Sequence, residues 1–312
     1  MTSLNCTKCR ARPSVFYRPY SGERLCSSCF RTSLVERVQL SINRFGMLEH
    51  GSRIAVGVSG GKDSLTLLHL LKQIEDTTHG SEIVAVTVDE GIRGYRDEAL
   101  GIVERACKSM GLEWKLATFH NMFGWTMDEL AAQKRELGAC SFCGVLRRRA
   151  LNDIAREVGA DRLATGHTLD DMAQSALLNI LRGDIGKMAS LDPGGLSSPG
   201  FVRRIKPLCE VPERETTFYA YLSDFEFQGA ACSYAGEAMR GDVRIFLNEM
   251  EEKHPGTLFT TFSTSLKLIP AAREAGLMKA CRVCGEPSAG ELCRVCQLLP
   301  GVSRGEAGKV PR

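Results

Sequence analysis

Long apolar runs are missing from this 312-residue sequence, and none approaches the roughly 20 residues that a membrane-spanning helix requires. A secretory leader is missing too: Met1 to Arg10 is polar and already holds two cysteines. These absences argue against a helical membrane protein and a secreted one. The expected setting is the cytoplasm, where thiols stay reduced. Charge of one sign is also lacking. Forty Lys and Arg against 37 Asp and Glu leave a net +3, which neither demands nor forbids a nucleic-acid partner. Basic residues gather only locally, at Arg147-Arg148-Arg149 and Arg203-Arg204-Ile205-Lys206, and each cluster reads as readily as a solvated face as a binding patch. No internal repeat is present beyond two similar cysteine modules.

What the chain has in excess is cysteine. Thirteen in a reducing compartment point to metal or sulfur chemistry rather than to disulfides. Cys6-x2-Cys9 and Cys26-x2-Cys29, sixteen residues apart, supply four thiolates to a tetrahedral site, for which Zn²⁺ is the default ion. The competing reading is a redox CxxC, but two pairs at zinc-ribbon spacing favour zinc. So short a segment has little core, and the metal would supply its folding energy. Cys281-x2-Cys284 and Cys293-x2-Cys296, eight residues apart, make a second structural zinc site.

Between these modules the pattern alternates. Leu34, Val38, Ile42 and Phe45 predict a helix over 31–50, punctuated by Gly46 and Gly51. Strands are expected over 54–58, 82–88, 113–119 and 162–165, and helices over 64–74, 96–110, 128–137, 145–158 and 170–181. Such alternation argues for an α/β fold, a parallel sheet covered by helices on both faces, with ligands at the carboxyl ends of its strands. A loop follows over 191–200, then helices over 212–225 and 242–252. The Gly-rich tail beyond Pro300 is expected to be disordered.

One junction carries chemistry. After the strand at 54–58 come Ser59-Gly60-Gly61-Lys62-Asp63-Ser64 and then a helix. Adjacent glycines let backbone N–H groups approach phosphate oxygens without Cβ clashes. The helix start adds free donors and the positive end of its dipole, and Lys62 adds a point charge. This is not the Walker pattern, which places four residues between Gly and Gly-Lys. It resembles the PP-loop, SGGxDS, of the ATP pyrophosphatases, which split ATP into AMP and pyrophosphate. An ordinary βα turn is the plainer reading, disfavoured by a six-residue match in the right strand–helix context.

Five cysteines lie outside the paired modules. Cys107 sits on an apolar helical face and Cys209 has no partner in sequence; both read as buried core thiols. Cys140-Ser-Phe-Cys143-Gly stands before a helix carrying Arg147, where a thiolate is favoured. Cys232-Ser-Tyr offers a third ligand. Three such thiolates could hold a cubane iron–sulfur cluster with one iron open, or zinc with one open position, or divide a persulfide and a resolving role. Spacing alone leaves these open.

Taken with the PP-loop, Cys140-x2-Cys143-Gly, Thr165-Gly166-His167-x2-Asp170-Asp171 and Cys232-Ser-Tyr-Ala235 resemble the TtcA/TtuA family of tRNA thiolation enzymes. Asp89-Glu90-Gly91-Ile92-x-Gly94-Tyr95-Arg96-Asp97, Trp125-Thr126-Met127-Asp128-Glu129 and Asn179-Ile180-Leu181-Arg182-Gly183-Asp184 are similar to its wobble-uridine branch, found in archaea and the eukaryotic cytosol. The resemblance runs from Cys6 to about Cys296. It implies a 4Fe-4S cluster on Cys140, Cys143 and Cys232, two structural zincs, ATP with Mg²⁺, and tRNA as partner. It further implies a sulfur donor, either a thiocarboxylated ubiquitin-like protein or free sulfide. Where the branch acting on position 54 has a lysine, this chain has Arg147, as the wobble branch does; arginine keeps the charge but accepts no proton.

The expected reaction adenylates the C2 oxygen of uridine and replaces it with sulfur, giving 2-thiouridine at position 34. Position 54 is the alternative within the family, and a non-catalytic, zinc-stabilised tRNA-binding partner the alternative outside it. Other PP-loop enzymes, amidotransferase-type synthetases or lysidine synthetases, need no extra cysteines. In the expected site, Val58, Ser59, Gly60, Gly61, Lys62 and Ser64 hold the phosphates, Asp63 positions Mg²⁺, and Gly57, Val86 and Gly166 shape the adenosine pocket. Asp171 orients substrate or metal, while Asp170 caps its helix. His167 is either part of this site or a satisfied structural histidine. The arginines Arg147 to Arg149 are expected near phosphate and RNA.

The chain so divides into an N-terminal zinc ribbon over 1–33, a linker helix over 34–50, a PP-loop catalytic domain over 51–275, a C-terminal zinc module over 276–300 and a tail over 301–312. A homodimer and a heterodimer are both compatible with this organisation.

Overall fold

The computed structural model describes residues 4–77, 80–133, 138–197, 200–234, 239–273, 279–288 and 290–299; the expected tail, 301–312, lies outside them. The first module is a short antiparallel pair, β1 (Phe16–Arg18) and β2 (Glu23–Leu25), leading into α1 (Ser27–Arg44). This helix starts earlier than the periodicity predicts, so Cys29 lies in its first turn and the 33/34 boundary falls inside it. It stops at Arg44 because the chain turns at Gly46 and again at Gly51, both at positive φ. Its buried stripe is Phe30, Leu34, Val38 and Ile42.

The alternating region follows: β3 (Arg53–Gly57), α2 (Lys62–Glu75), β4 (Glu82–Asp89), α3 (Arg96–Met110) and β5 (Glu113–Thr118). Two short helices, α4 (Phe119–Phe123) and α5 (Met127–Ala132), precede α6 (Ala139–Glu157). The predicted helix over 128–137 is realised only as far as Ala132; 134–137 lie outside the described residues. Next come β6 (Arg162–Thr165), α7 (Leu169–Leu181), a 3₁₀ turn at Ile185–Leu191, β7 (Arg203–Ile205) and α8 (Glu213–Leu222). Pro212 is the N-cap of α8 rather than its first residue. The chain continues through α9 (Arg240–Lys253), α10 (Thr257–Arg273), a second small hairpin of β8 (Lys279–Ala280) and β9 (Pro287–Ser288), and α11 (Arg294–Leu298).

The central sheet has the order β5-β4-β3-β6-β7 and all its pairings are parallel. Both faces are covered, and adjacent residues of one strand serve different cores. Ile54, Val56, Ile83 and Ala85 pack with Leu67, Leu71 and Val103 from α2 and α3. Ala55, Val84, Val86 and Leu163 pack with Ile154 and Ala155 of α6. That is why these strands read as continuous apolar runs rather than as alternations. The sheet grows outward in both directions from β3, leaving a crevice beyond the carboxyl ends of β3 and β6.

Three elements depart from expectation. Strand β7 and the 17-residue α10 carry no strong sequence signal; α10 is rich in Ser and Thr and contains Pro270. Helix α6 begins at Ala139 rather than at 145, which brings Cys140 and Cys143 inside its first turns rather than ahead of it. Burial of Phe142, Cys143 and Leu146 against Ile92, Phe119, Phe123 and Met127 outweighs the weak helix propensity of this segment.

Candidate active site

Strand β3 ends at Gly57, and Gly61 caps α2 without a side-chain bond, so the first N–H groups of that helix point toward the crevice unoccupied by a cap. The turn between them is braced from within. Ser59 N–H donates to Ser64 Oγ at 3.1 Å, and the Ser64 hydroxyl donates to the Gly61 carbonyl at 2.9 Å. Gly60 sits at φ +87°, and a Cβ there would lie 2.9 Å from Ala99 Cβ, so glycine is required both for conformation and for space. Gly166 faces the same constraint from the other side: its Cβ would come within 3.1 Å of the backbone at Asp63 and Ser64.

Over this turn lies a cavity of about 280 Å³. Its walls include Gly57, Val58, Ser59, Gly61, Asp63 and Ser64 from the loop and Gly166, His167 and Asp171 from the end of β6 and the start of α7. Glu90 and Arg147 close the third side. The structure so brings together most of the expected nucleotide-site residues. Gly60 and Lys62 stand behind the wall. Val86 is excluded from it: fully buried, it packs on α6 and offers only its carbonyl, to Val58 N–H at 2.9 Å. Val88, Leu151 and Thr165 line the cavity instead.

Lys62 Nζ lies 2.8 Å from both Asp63 Oδ2 and Glu213 Oε1. Burial disfavours its charge, but the two carboxylates together raise its pKa above the ordinary lysine value. Asp63 is pushed up by burial, against the pull of Lys62 and of the Thr216 hydroxyl, which donates to Oδ1. Of the two aspartates of the α7 motif, the second lines the cavity and also takes the capping part expected of the first. Asp171, not Asp170, completes a capping box with Thr168, and its other oxygen stands 3.4 Å from Arg240. Asp170 accepts the Glu213 N–H at 2.6 Å, and burial pushes its carboxyl up to about 6. His167 contacts Thr165 Oγ1 at 2.9 Å, and burial, reinforced by Lys206 and Arg204, lowers it to about 3, so it stays neutral.

The three arginines diverge. Arg147 turns inward, its Nε 2.7 Å from Glu90 Oε1 and its Nη2 donating to Cys143 Sγ at 3.1 Å. Arg149 faces away from the cavity, bonding Asp153 at 2.5 Å and reaching Glu286 of the C-terminal module at 3.6 Å. Only Arg148 keeps an exposed side chain with no acidic partner among the described residues.

Cys140 Sγ donates to the Tyr234 carbonyl at 2.8 Å, two residues beyond Cys232. Cys232 is close enough for its charge to bear on Cys143 and on Tyr95. Burial raises the Cys143 thiol, opposed by Arg147. These three thiols therefore gather beside the cavity wall that Arg147 forms. They are arranged differently from the paired sets. Cys6, Cys9, Cys26 and Cys29, and likewise Cys281, Cys284, Cys293 and Cys296, hold their sulfurs within 4.8 Å of one another. Cys9 and Cys26 are 3.9 Å apart and Cys284 and Cys293 3.6 Å, close to the about 3.8 Å edge of a Zn–thiolate tetrahedron. Among the described residues no third set closes to that extent. The wider trio suits a polynuclear cluster better than a single ion, and its three soft donors leave one position without a protein ligand.

Cys107 and Cys209 are both buried, as expected of core thiols. Glu90 is the site residue that sequence reasoning left without a role; its position at the carboxyl end of β4 was the available signal.

Set beside known proteins, residues 34–248 match the PP-loop domain family, and residues 5–31 match the N-terminal LIM domain of 2-thiouridine synthetase TtuA. The chain is 39% identical over 315 residues to cytoplasmic tRNA 2-thiolation protein 1 of Bos taurus, covering 98% of this chain and 90% of that protein. Its counterpart in Chlamydomonas reinhardtii is 36% identical, with 96% and 85% covered. Among solved structures, the U34-tRNA thiolase NcsA from Methanococcus maripaludis, with its 4Fe-4S cluster, superposes with a TM-score of 0.86 at 33% identity, over 99% of this chain and 100% of that one.

Proposed function

The chain belongs to the family of cytoplasmic tRNA 2-thiolation protein 1, and from that premise we propose how its cavity serves the reaction. The protein is an ATP-dependent tRNA sulfurtransferase of the PP-loop type, forming 2-thiouridine at wobble position 34 in the cytoplasm. No helix among the described residues is long and apolar enough to cross a membrane.

The C2 oxygen of uridine is a poor leaving group. In the first step it attacks the α-phosphorus of ATP, and pyrophosphate departs. In the second, sulfur at the sulfide level forms the C2–S bond, and AMP leaves with the former C2 oxygen. For the first step, the N–H groups at the start of α2 face the departing phosphates and stabilise their charge. Lys62, held beside the loop by Asp63 and Glu213, supplies a cation to them. Asp63 presents oxygen to Mg²⁺, the hard ion that accompanies ATP. Asp171, which lines the cavity and is held by Thr168 and Arg240, orients the substrate. Neutral His167 contributes a hydrogen bond rather than a charge.

For the second step, Cys140, Cys143 and Cys232 would hold a 4Fe-4S cluster. When bound, the cluster supplies an iron without a protein ligand, at which inorganic sulfur can be presented. Arg147 holds Cys143 from the cavity side and opposes the rise that burial gives its thiol. As sulfur donor we propose a thiocarboxylated ubiquitin-like protein, with free sulfide as its simplest substitute. The two paired modules would each bind one structural Zn²⁺.

One observation carries this reading: a single cavity is walled on one side by the PP-loop and on another by the arginine that touches Cys143. Mass spectrometry of tRNA nucleosides from cells lacking the protein tests it. The expected result is loss of 2-thiouridine at the wobble position. Loss at position 54 instead would reassign the substrate, and unchanged thiouridine would leave a non-catalytic role.

A further inference from the structure

The cavity has two halves, and one chain of charged groups joins them, buried at Arg96 and Glu90 and half-exposed at Arg147. Arg96, at the start of α3, donates through Nη1 to the Ser59 carbonyl at 3.0 Å and through Nη2 to the Val88 carbonyl at 2.7 Å. Its Nε stands 2.9 Å from Glu90 Oε2, and both side chains are almost fully buried. The other oxygen of Glu90 meets Arg147 Nε at 2.7 Å, and Arg147 Nη2 reaches Cys143 Sγ at 3.1 Å. An unbroken path so runs from the backbone of the ATP-binding turn to a sulfur beside the cavity.

Arg96 spends both terminal nitrogens on backbone carbonyls, and its Nε meets Glu90 as an ion pair without hydrogen-bond geometry, a three-way arrangement that a lysine cannot reproduce. Glu90 divides its two oxygens between two arginines. Its backbone is fixed as well, for its carbonyl accepts the Met127 N–H at 2.7 Å. Gly91 follows at φ +69°, where a Cβ would lie 2.7 Å from Thr126 Cβ. A buried ion pair such as Arg96 and Glu90 is seldom the most stable way to fill such a space, because desolvation offsets much of the attraction. What it supplies is direction: displacement of the turn at Ser59 shifts Arg96, hence Glu90, hence the guanidinium on Cys143.

We propose that Glu90 and Arg96 are positioning residues that couple ATP binding at the loop to the sulfur half of the site, by setting Arg147 against Cys143. This rests on the reading of Cys143 as a cluster ligand in tRNA thiolation. It adds that sulfur transfer depends on the path, while the loop, braced by its own serine bonds, supports adenylation without it.

The test uses anaerobically purified holoenzyme carrying Arg96→Lys, which keeps the charge but breaks the three-way link, or Arg96→Gln, which removes the charge. Three quantities are read: tRNA-dependent pyrophosphate release, 2-thiouridine formation, and the EPR spectrum of the dithionite-reduced protein with and without a non-hydrolysable ATP analogue. The expected variants keep iron, zinc and pyrophosphate release within about threefold of the parent, while 2-thiouridine formation falls at least about tenfold. The analogue is expected to alter the parent spectrum and to leave the variant spectra unchanged. Equal losses in both half-reactions, unimpaired thiolation, or a parent spectrum indifferent to the analogue would overturn the coupling. If Arg96→Gln loses its zinc, Arg96→Lys carries the same comparison. A parent protein without iron or thiolation would instead overturn the functional reading itself.

Discussion

The N-terminal cysteine module meets the catalytic domain through a fully buried ion pair set in aromatic packing, whereas the C-terminal one combines apolar packing with a buried carboxylate whose arginine partners keep more solvent contact. In the first, Arg18 and Glu215 are both almost wholly buried and lie 2.7 Å apart, with Arg37 at 3.1 Å and the Tyr20 hydroxyl on the same carboxylate. Phe16 and Phe30 stack on Phe218 beside them. In the second, Val295 and Leu299 join the core around Phe142 and Leu146, and Glu286 receives Arg156 and Arg149 from α6. The landing places differ accordingly. The N-terminal module docks on α8, whose Glu213 and Thr216 hold Lys62 and Asp63. The C-terminal module docks on α6, which carries Cys140 and Cys143. Two modules of the same metal chemistry thus brace different halves of one site.

The largest expected effect isolates the half braced from the N-terminal side. Asp63→Ala should lower tRNA-dependent pyrophosphate release by about 10²-fold or more while zinc and iron contents stay at parent levels, as read by metal analysis beside the assay. Unchanged release would remove Asp63 from the phosphate site. Next in size are the modules themselves. Cys26→Ala and Cys284→Ala should each leave one zinc of two. The first should raise the KM for ATP and keep the iron chromophore; the second should lose iron first. If both variants lose the same function, the division of labour is wrong.

Smaller effects distinguish the two modes of docking. Glu215→Gln leaves Arg18 buried without its charge partner and should destabilise the fold by about 3–5 kcal/mol in urea unfolding. Glu286 is buried too, but its partners Arg149 and Arg156 keep more solvent contact than Arg18 does, so Glu286→Gln should cost less than Glu215→Gln. Equal losses would mean that the C-terminal module depends on charge as much as the N-terminal one. Smallest is Lys8→Ala, which breaks an exposed pair with Glu36 inside the N-terminal module and should change stability by roughly 0.2–1 kcal/mol.

Much of this comparison was legible in the sequence where the signal is local. Paired cysteines declare a metal site by spacing, and strand, two glycines and helix declare an anion site by their order. The Cys140 to Cys143 segment was harder. Its Ser, Gly and Cys residues weaken the helical pattern, and only burial of Phe142 and Leu146 against distant aromatics makes it the start of α6. Strand β7 is three residues long, two of them arginine, and is a strand only because β6 lies beside it. The side chain of Val86 packs toward α6, away from the cavity, a choice of face that an apolar strand residue does not announce in sequence. Between Glu90 and the helix of Arg147 lie three helices and a strand, so no periodicity could announce their pairing. What stayed hidden was how side chains from separate elements meet, including the docking that gives each cysteine module its half of the site.

The central claim is that one cavity joins an adenylating half to a separate sulfur half. Cys143→Ala tests it most directly, assayed in a single turnover with ATP and tRNA. The account predicts continued pyrophosphate release, loss of the iron absorbance and no 2-thiouridine. Thiouridine formed at the parent rate by the iron-free variant, or pyrophosphate release lost together with the iron, would contradict it.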